Sequence, residues 1–518
     1  MNTSDPPSGI RKHMPTLIRL SRWGIFGLAC LVTLVALYCT IENWRGKRAL
    51  EAWKQEMRAK GEKFTLEELG LAKPTQQGEG AKALLQAMNQ LGALSTNCVL
   101  ASGGISTMKL VAPGKAKVLL KQSALPEPPV RKKDGTPHGW TDLANQIAQA
   151  KEPLEQVQSA LQQFSLDVGL DYSKGVGLLL PHLGPIRNTA RWFSAAALND
   201  LHQGKLEGAL DEIRVVGLLD DNFAGDDQTL IHQLVRMAIR SINEGVIWEA
   251  LQADGWRDDQ LRQLQKIWQR DDLMTDVIRS FEVDHVCMGS WVFDKVRREP
   301  KLYQSLGSSG FEGDMAFSFR GAIFIWRWAW SYRDELYYLQ HMQRLLEVVR
   351  AIPKHKSWTE ASSVLTPIVD EISNAKGFYS RRFILSKLLL PALNRAILSA
   401  MRSETQRELT VTAIALKRYQ LRTGKLPPTL EALIPEFLPV LPIDYMDGKP
   451  LRYRPNADGT FALYSVGEDG RDDGGDSNPV KAGKQALSFS ESWENARDVV
   501  WPMPATSEEV AVYEASKK

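Results

Sequence analysis

The chain has 518 residues, of which 43% are hydrophobic and 24% charged, with a formal net charge of +3 at pH 7. That length holds two or three domains, and the composition is ordinary for a folded body. The small charge excess implies no nucleic-acid partner, and the four cysteines argue against a disulfide framework.

The first feature in chain order is the apolar run Trp23 to Ile41, which no ionisable carboxylate, lysine or arginine interrupts. As a helix it spans roughly 28 Å, close to the hydrocarbon thickness of a bilayer. Trp23 and Tyr38 stand near its two ends, where amphipathic rings prefer the interface. A cleavable signal would be shorter and end in small residues, and the sequence Glu42-Asn43-Trp44-Arg45 lacks an Ala-x-Ala pattern. A lipoprotein signal at Cys30 is disfavoured because the apolar run continues past it. The run therefore predicts an uncleaved transmembrane helix over 23–41 and a lipid bilayer as its partner. Arg11, Lys12, Arg19 and Arg22 make 1–22 a cytoplasmic tail, with the bulk extracytoplasmic and the anchor in the inner membrane of the cell.

Residues 42–140 read as membrane-proximal helices and an irregular insertion. Arg48 to Arg58 continues the helix, and Gly78 to Leu94 forms another. Phe64-Thr65-Leu66-x-Glu68 matches the core of a prepilin processing signal, but Gly70 and Pro74 follow in place of an apolar helix. From 95 to 140 glycine and proline pairs dominate, with Val118-Leu119-Leu120 a candidate strand.

Residues 141–403 read as a large helical body of hairpins. Gly204 separates the helix ending near His202 from one carrying Leu206, Leu210, Ile213 and Leu218, a rough helical stripe. The turn resembles that of a tetratricopeptide repeat, but no 34-residue period surrounds it, so a hairpin is the preferred reading and a repeat the alternative. In the helix from Asp258, Leu261, Leu264 and Trp268 fall on one face. Ala322 to Trp326 is apolar but bounded by Arg320 and Arg327, and Phe383 to Ala400 is broken by Lys387, Pro391 and Arg395, so both read as buried or membrane-surface helices.

Chemistry-bearing motifs are sparse. The eight histidines are scattered, without a His-Glu-x-x-His or Cys-x-x-Cys pattern. Asp284 and His285 beside Cys287 come nearest to a reactive cluster, yet neighbours on a helix point apart. Cys98 and Cys287 are a possible pair in an exported domain, two buried free thiols being the preferred reading.

Residues 404–478 form a distinct α+β pattern. A helix from Leu409 to Leu421 leads to Leu426-Pro427-Pro428, a turn at Thr429 to Leu433, and Leu441-Pro442-Ile443-Asp444. Two alternating runs, Leu451 to Arg454 and Thr460 to Val466, flank Asp458-Gly459, a strong hairpin signal. The loop Gly467 to Asp476 closes the module, and 479–518 is a C-terminal tail. Asp469, Asp472, Asp473 and Asp476 form a dense oxygen-donor set among glycines that let the backbone fold round an ion. A calcium ion is the candidate cofactor, and a solvated acidic turn is the alternative.

This stretch resembles the globular part of the major pseudopilins of type II secretion systems, through the helix ending at Tyr419, Leu441 to Asp444, Gly448-Lys449-Pro450, Tyr464-Ser465-x-Gly467 and the acidic loop. That resemblance implies a calcium-binding loop at the four aspartates, with carbonyls near Ser465 and Gly467 as helpers. The chain as a whole is similar to uncharacterised membrane-anchored helical proteins of planctomycete and verrucomicrobial genomes. Together these readings give a mainly α protein with an N-terminal single transmembrane helix. They favour a binding or assembly role, with an envelope or secretion-system protein as partner, over the alternative of an envelope hydrolase.

Overall fold

The computed structural model describes residues 14–73, 77–94, 107–125, 139–222, 228–269, 273–299, 323–374, 382–480 and 489–516. Of the described residues 69% are helical. It divides into two compact units. One comprises Met1–Phe64, Gly289–Met342 and Glu371–Leu390, the other Thr65–Met288, Gln343–Asp370 and Pro391–Lys518.

The first unit is built on α1, Met14–Ala59, a single helix of 46 residues that runs through and beyond the apolar stretch. Its length is roughly 69 Å. From Trp23 to Ile41 almost every side chain is exposed, and this part is long and apolar enough to cross a membrane. The character changes at Glu42. Glu42, Gly46, Leu50 and Met57 are buried, a spacing that keeps one helical face covered. That face meets the π-helical turn Trp326–Trp330 and the start of the next helix; a Cβ on Gly46 would lie 3.3 Å from Tyr332 Cβ. Arg333 Nε pairs with Glu42 at 2.8 Å, and Lys54 Nζ and Arg297 Nη2 both reach Glu335, at 2.7 and 2.6 Å.

The second unit opens with α2 (Leu66–Leu69), capped reciprocally by Thr65 and Glu68, and α3 (Glu79–Leu94). The strands β1 (Leu110–Ala112) and β2 (Lys115–Ala116) follow. Val118 to Leu120 is not a strand. The N–H groups of Leu119 and Leu120 instead donate to the Glu249 carboxylate at 2.9 and 3.2 Å, so they are unavailable to a ladder. The helical body runs through α4 (Trp140–Gln149), α5 (Lys151–Gln163), α6 (Leu183–His202), α7 (Leu206–Asp221) and α8 (Leu230–Leu251). The α6–α7 hairpin turns at Gly204, whose φ of 72° is a left-handed conformation that favours glycine. Both helices pack on α8, which is buried almost all round and carries the fully buried Trp248. Burying such a ring contributes roughly 1.5–3 kcal/mol, and its Nε1 is satisfied by the Pro502 carbonyl at 2.7 Å.

Helix α9 (Asp258–Trp268) buries Leu261, Leu264 and Trp268 as its periodicity requires. Helices α10 (Leu273–Asp284) and α11 (Trp291–Arg298) flank a π-helical segment, His285–Ser290. Three longer helices follow: α12 (Ser331–His355), α13 (Trp358–Asn374) and α14 (Ile384–Thr423). The separate helices expected over Phe383–Ala400 and Leu409–Leu421 are one continuous helix, α14. It too has the length and composition to cross a membrane, but 44% of its apolar window is buried in the protein.

Beyond α14, β3 (Arg452–Pro455) and β4 (Phe461–Ser465) form the expected antiparallel hairpin, with Arg452 opposite Tyr464. Residues 489–516 are more than a tail. They form α15 (Phe489–Asn495), β5 (Val499–Val500), β6 (Met503–Pro504) and α16 (Ser507–Ser516). β5 adds to β4 as the third strand of its sheet, and β6 pairs in parallel with β2. Cys287 is a buried free thiol, whereas Cys98 lies outside the described residues.

Candidate functional sites

The acidic loop follows β4. Gly467, Gly470, Gly474 and Gly475 all take positive φ, so the chain reverses repeatedly at little steric cost. Its organiser lies outside the loop, in the residue just before β5. The buried carboxylate of Asp498 accepts the N–H groups of Asp473, Gly475 and Asp476 at 3.4, 2.8 and 3.2 Å. The Asp498 N–H in turn donates to the Asp476 carbonyl at 2.9 Å.

The four aspartates point to different partners. Asp469 accepts the Arg471 N–H at 3.0 Å. Asp472 accepts from the Tyr464 hydroxyl at 3.0 Å and the Gly474 N–H at 3.0 Å, and lies 3.4 Å from Arg452 Nε. Asp476 pairs with Arg497 at 3.1 Å and accepts from Asn478. Asp473 contributes its N–H to Asp498. Among the described residues no three His, Cys, Asp or Glu side chains converge as a group that could hold a metal ion. Arg452 supplies the local positive charge, reaching Asp444 and Asp447 at 3.3 and 2.5 Å as well as Asp472. Burial raises the pKa of Asp472, but the Gly474 N–H, the Tyr464 hydroxyl and Arg452 together hold it below the usual carboxylate range; the Asn478 N–H first, then its side chain and Arg497, do the same for Asp476.

A second cluster lies inside the helical body. Asp220 on α7 receives Arg236 and Arg240 from α8, both at 3.0 Å. Arg236 also meets Asp276, Arg240 reaches Glu404 on α14 at 2.9 Å, and Arg407 holds Glu404 at 2.9 Å. These are buried charges joined over four helices, and each cation faces a carboxylate. The adjoining cavity, about 20 Å³ beside Val216, Ile239 and Trp268, holds nothing larger than a water molecule. Such a network fixes helix register and orientation without offering a group to a substrate.

A third cluster joins α6 and α8. His182 Nε2 lies 3.0 Å from His232 Nε2, and His232 Nδ1 is 2.7 Å from Thr229 Oγ1. The Thr229 N–H points at that Nδ1, so the neutral His232 carries its proton on Nε2 and donates it to His182. Burial depresses the pKa of His182 to about 4 and of His232 to about 3. Nearby, burial pushes the Cys287 thiol far up and lifts Asp284 to about 7. A thiol so placed is no thiolate, and the Asp284–His285–Cys287 segment has no activated nucleophile.

The fourth feature belongs to the first unit. A groove of about 920 Å³ runs beside α1, between Leu31 and Lys47 on one wall and Phe324 to Tyr332 on the other. Apolar side chains dominate its lower part. Lys47, Arg297 and Arg327 are the charged residues of its lining, and Lys47 lies beyond the point where α1 leaves the exposed stretch.

The sequence located the acidic loop but missed Asp498, whose isolated Arg497-Asp498-Val499 setting carries no motif. It also missed the buried arginines of α8 and the groove, which arise from residues far apart in the chain. Compared with protein families, curated proteins and solved structures, the chain matches none, so its function rests on these sites alone.

Proposed function

We propose that this is a single-span envelope protein, held in the inner membrane by Trp23–Ile41, that acts by binding or assembly. The N-terminus is cytoplasmic and the body extracytoplasmic in this reading. One observation carries it: the abrupt change along α1 at Glu42. Below it, apolar side chains from Trp23 to Ile41 are exposed on every side of the helix, and above it one face is packed. Large contiguous apolar surface of this kind needs lipid or a protein partner. An unbroken helix across 41–42 also favours an anchor over a signal removed there. The exposed rings of Trp44 and Trp328 and the hydroxyl of Tyr38 suit the interfacial layer. The likeness of residues 404–478 to major pseudopilins supports an envelope or secretion-system protein as partner.

The test is alkaline carbonate extraction of membranes, with N-terminal sequencing of the retained chain. The full chain is expected in the pellet with residues 23–41 intact, and a chain lacking residues 1–41 in the supernatant. Release of the full chain by carbonate, or a mature N-terminus beyond Ile41, would overturn the anchor. Protease added to spheroplasts should digest the body; protection of the body would reverse the orientation.

A further inference from the structure

We propose that the groove beside α1 binds one anionic phospholipid from the leaflet nearest the folded body. The inference rests on the membrane-span reading above and adds a specific ligand to it.

Length is the first argument. Leu31 to Lys47 covers about 24 Å of helix at 1.5 Å per residue. One leaflet with its headgroups is roughly 20–22 Å, half of the 40–45 Å bilayer. A lipid lying along α1 with its tail at Leu31 would therefore bring its phosphate near Lys47.

The walls agree with that orientation. Leu31, Val32 and Val35 supply the deep end. On the other wall, Phe324 and Trp328 remain 65% and 51% exposed, although they belong to the folded part of the unit. Exposed rings of this size beside an apolar helix are suited to acyl chains, and an indole to the headgroup boundary.

Charge complementarity selects the headgroup. Lys47 and Arg327 line the groove, and among the described residues neither has a carboxylate within ion-pair distance. Arg327 lies over the Trp328 ring at 5.4 Å. Arg297 is differently placed, paired with Glu335 and lying 4.5 Å over the Tyr332 ring, so it frames the groove. Two cations without carboxylate partners among the described residues, on the walls of a largely apolar channel, match a phosphate followed by hydrocarbon. A zwitterionic lipid would bring its own cation to the same place and gain less.

The position is held from the rest of the unit. Trp330 Nε1 and Arg382 Nη2 both reach the Tyr38 hydroxyl at 3.3 Å, tying the aromatic turn to the last part of the exposed stretch.

Native mass spectrometry of the full chain in detergent tests this, with phosphatidylglycerol or phosphatidylcholine added at equal concentration. A single-lipid adduct favouring phosphatidylglycerol is expected. Lys47→Ala and Arg327→Ala should each reduce that preference by about fivefold, the equivalent of the ~1 kcal/mol a basic residue gains near an anionic surface. Val35→Trp, which fills the channel at a lipid-facing position, should lower binding of both lipids, with circular dichroism confirming an unchanged helix content. Equal adducts for the two lipids, or a preference that survives in the double variant, sinks the proposal. So does displacement of the lipid by inorganic phosphate at the same concentration, or a dimer that Val35→Trp disrupts in place of a lipid adduct. Carbonate extraction separates the two claims: a chain that resists extraction but shows no lipid preference retains its anchor and loses this site.

Discussion

The Asp498 carboxylate accepts the N–H of Gly475 at 2.8 Å, bridging the strand that ends the C-terminal sheet and the acidic loop before it. The same carboxylate takes the N–H groups of Asp473 and Asp476, so one buried side chain sets the shape of the whole loop. Removing it leaves those donors to find water or to stay unsatisfied. Asp498→Ala should destabilise the protein by roughly 2–4 kcal/mol, given about 1.5–3 kcal/mol for a hydrogen bond to a charged group. Thermal melting of the full chain in detergent measures this. Asp469→Ala, whose side chain accepts only within its own turn, should leave the melting temperature nearly unchanged.

Calcium binding at the acidic loop is tested on the full chain, because β5 and Asp498 lie beyond residue 478 and complete the module. Arg452 and Arg497 already oppose Asp472 and Asp476, so an ion must compete with them. If the loop takes calcium, millimolar calcium should raise the melting temperature over chelator. The gain is about 2.7 kcal/mol at a hundredfold excess over the dissociation constant. Asp472→Ala combined with Asp473→Ala should abolish the difference. Superimposable melts with calcium and chelator would leave the loop a turn held by Asp498.

In the body, Glu404 is fully buried and shared by Arg240, Arg407 and the Leu273 N–H. Burial favours its neutral form, but the two guanidinium groups outweigh that and hold its pKa below the ordinary value. Glu404→Ala takes one carboxylate from each arginine, Arg240 keeping Asp220 and Arg407 keeping Glu408, and should cost about 1–3 kcal/mol. Glu404→Met with Arg240→Met, which removes a charge from each side, should cost less than the sum of the single changes. Urea unfolding followed by far-ultraviolet circular dichroism reads both.

Glu244 has the opposite environment. It is buried on α8, where the Thr410 hydroxyl lies 3.4 Å away, and desolvation raises its pKa to about 8. Thr410 also donates to the Gln406 carbonyl at 2.8 Å, which leaves its oxygen free to accept from a protonated Glu244. The folded-state pKa lies above the ordinary 4.5. Stability from this group is therefore complete below about 4.5 and lost as pH rises through 8. Glu244→Gln should match the parent at pH 5 and melt higher than it at pH 9. Glu212 and Glu249 are raised in the same sense, so a slope remains in the variant and the difference between the two curves isolates Glu244.

Local chemistry in the sequence determined the elements themselves. The apolar run Trp23–Ile41, the left-handed Gly204 between two helices, and Asp458-Gly459 between two alternating strands are each specified within a few residues. Their geometry follows from helix rise, from the absent Cβ and from turn preference. The mainly α class and the C-terminal hairpin follow from the same short-range signals. The assignments that required partners distant in the chain could not be read this way. Val118 to Leu120 has the composition of a strand, yet its N–H groups are claimed by Glu249, about 130 residues away. β5 is two valines in a segment that reads as tail, and becomes a strand only because β4 offers an open edge. Asp498 and Arg240 carry no motif, and they matter because folding places them against the acidic loop and against Glu404. The groove likewise exists only where a turn near residue 328 comes to lie beside α1. Backbone preferences act over one or two helical turns. Burial, ion pairing and sheet-edge pairing act between surfaces that tertiary packing alone brings together.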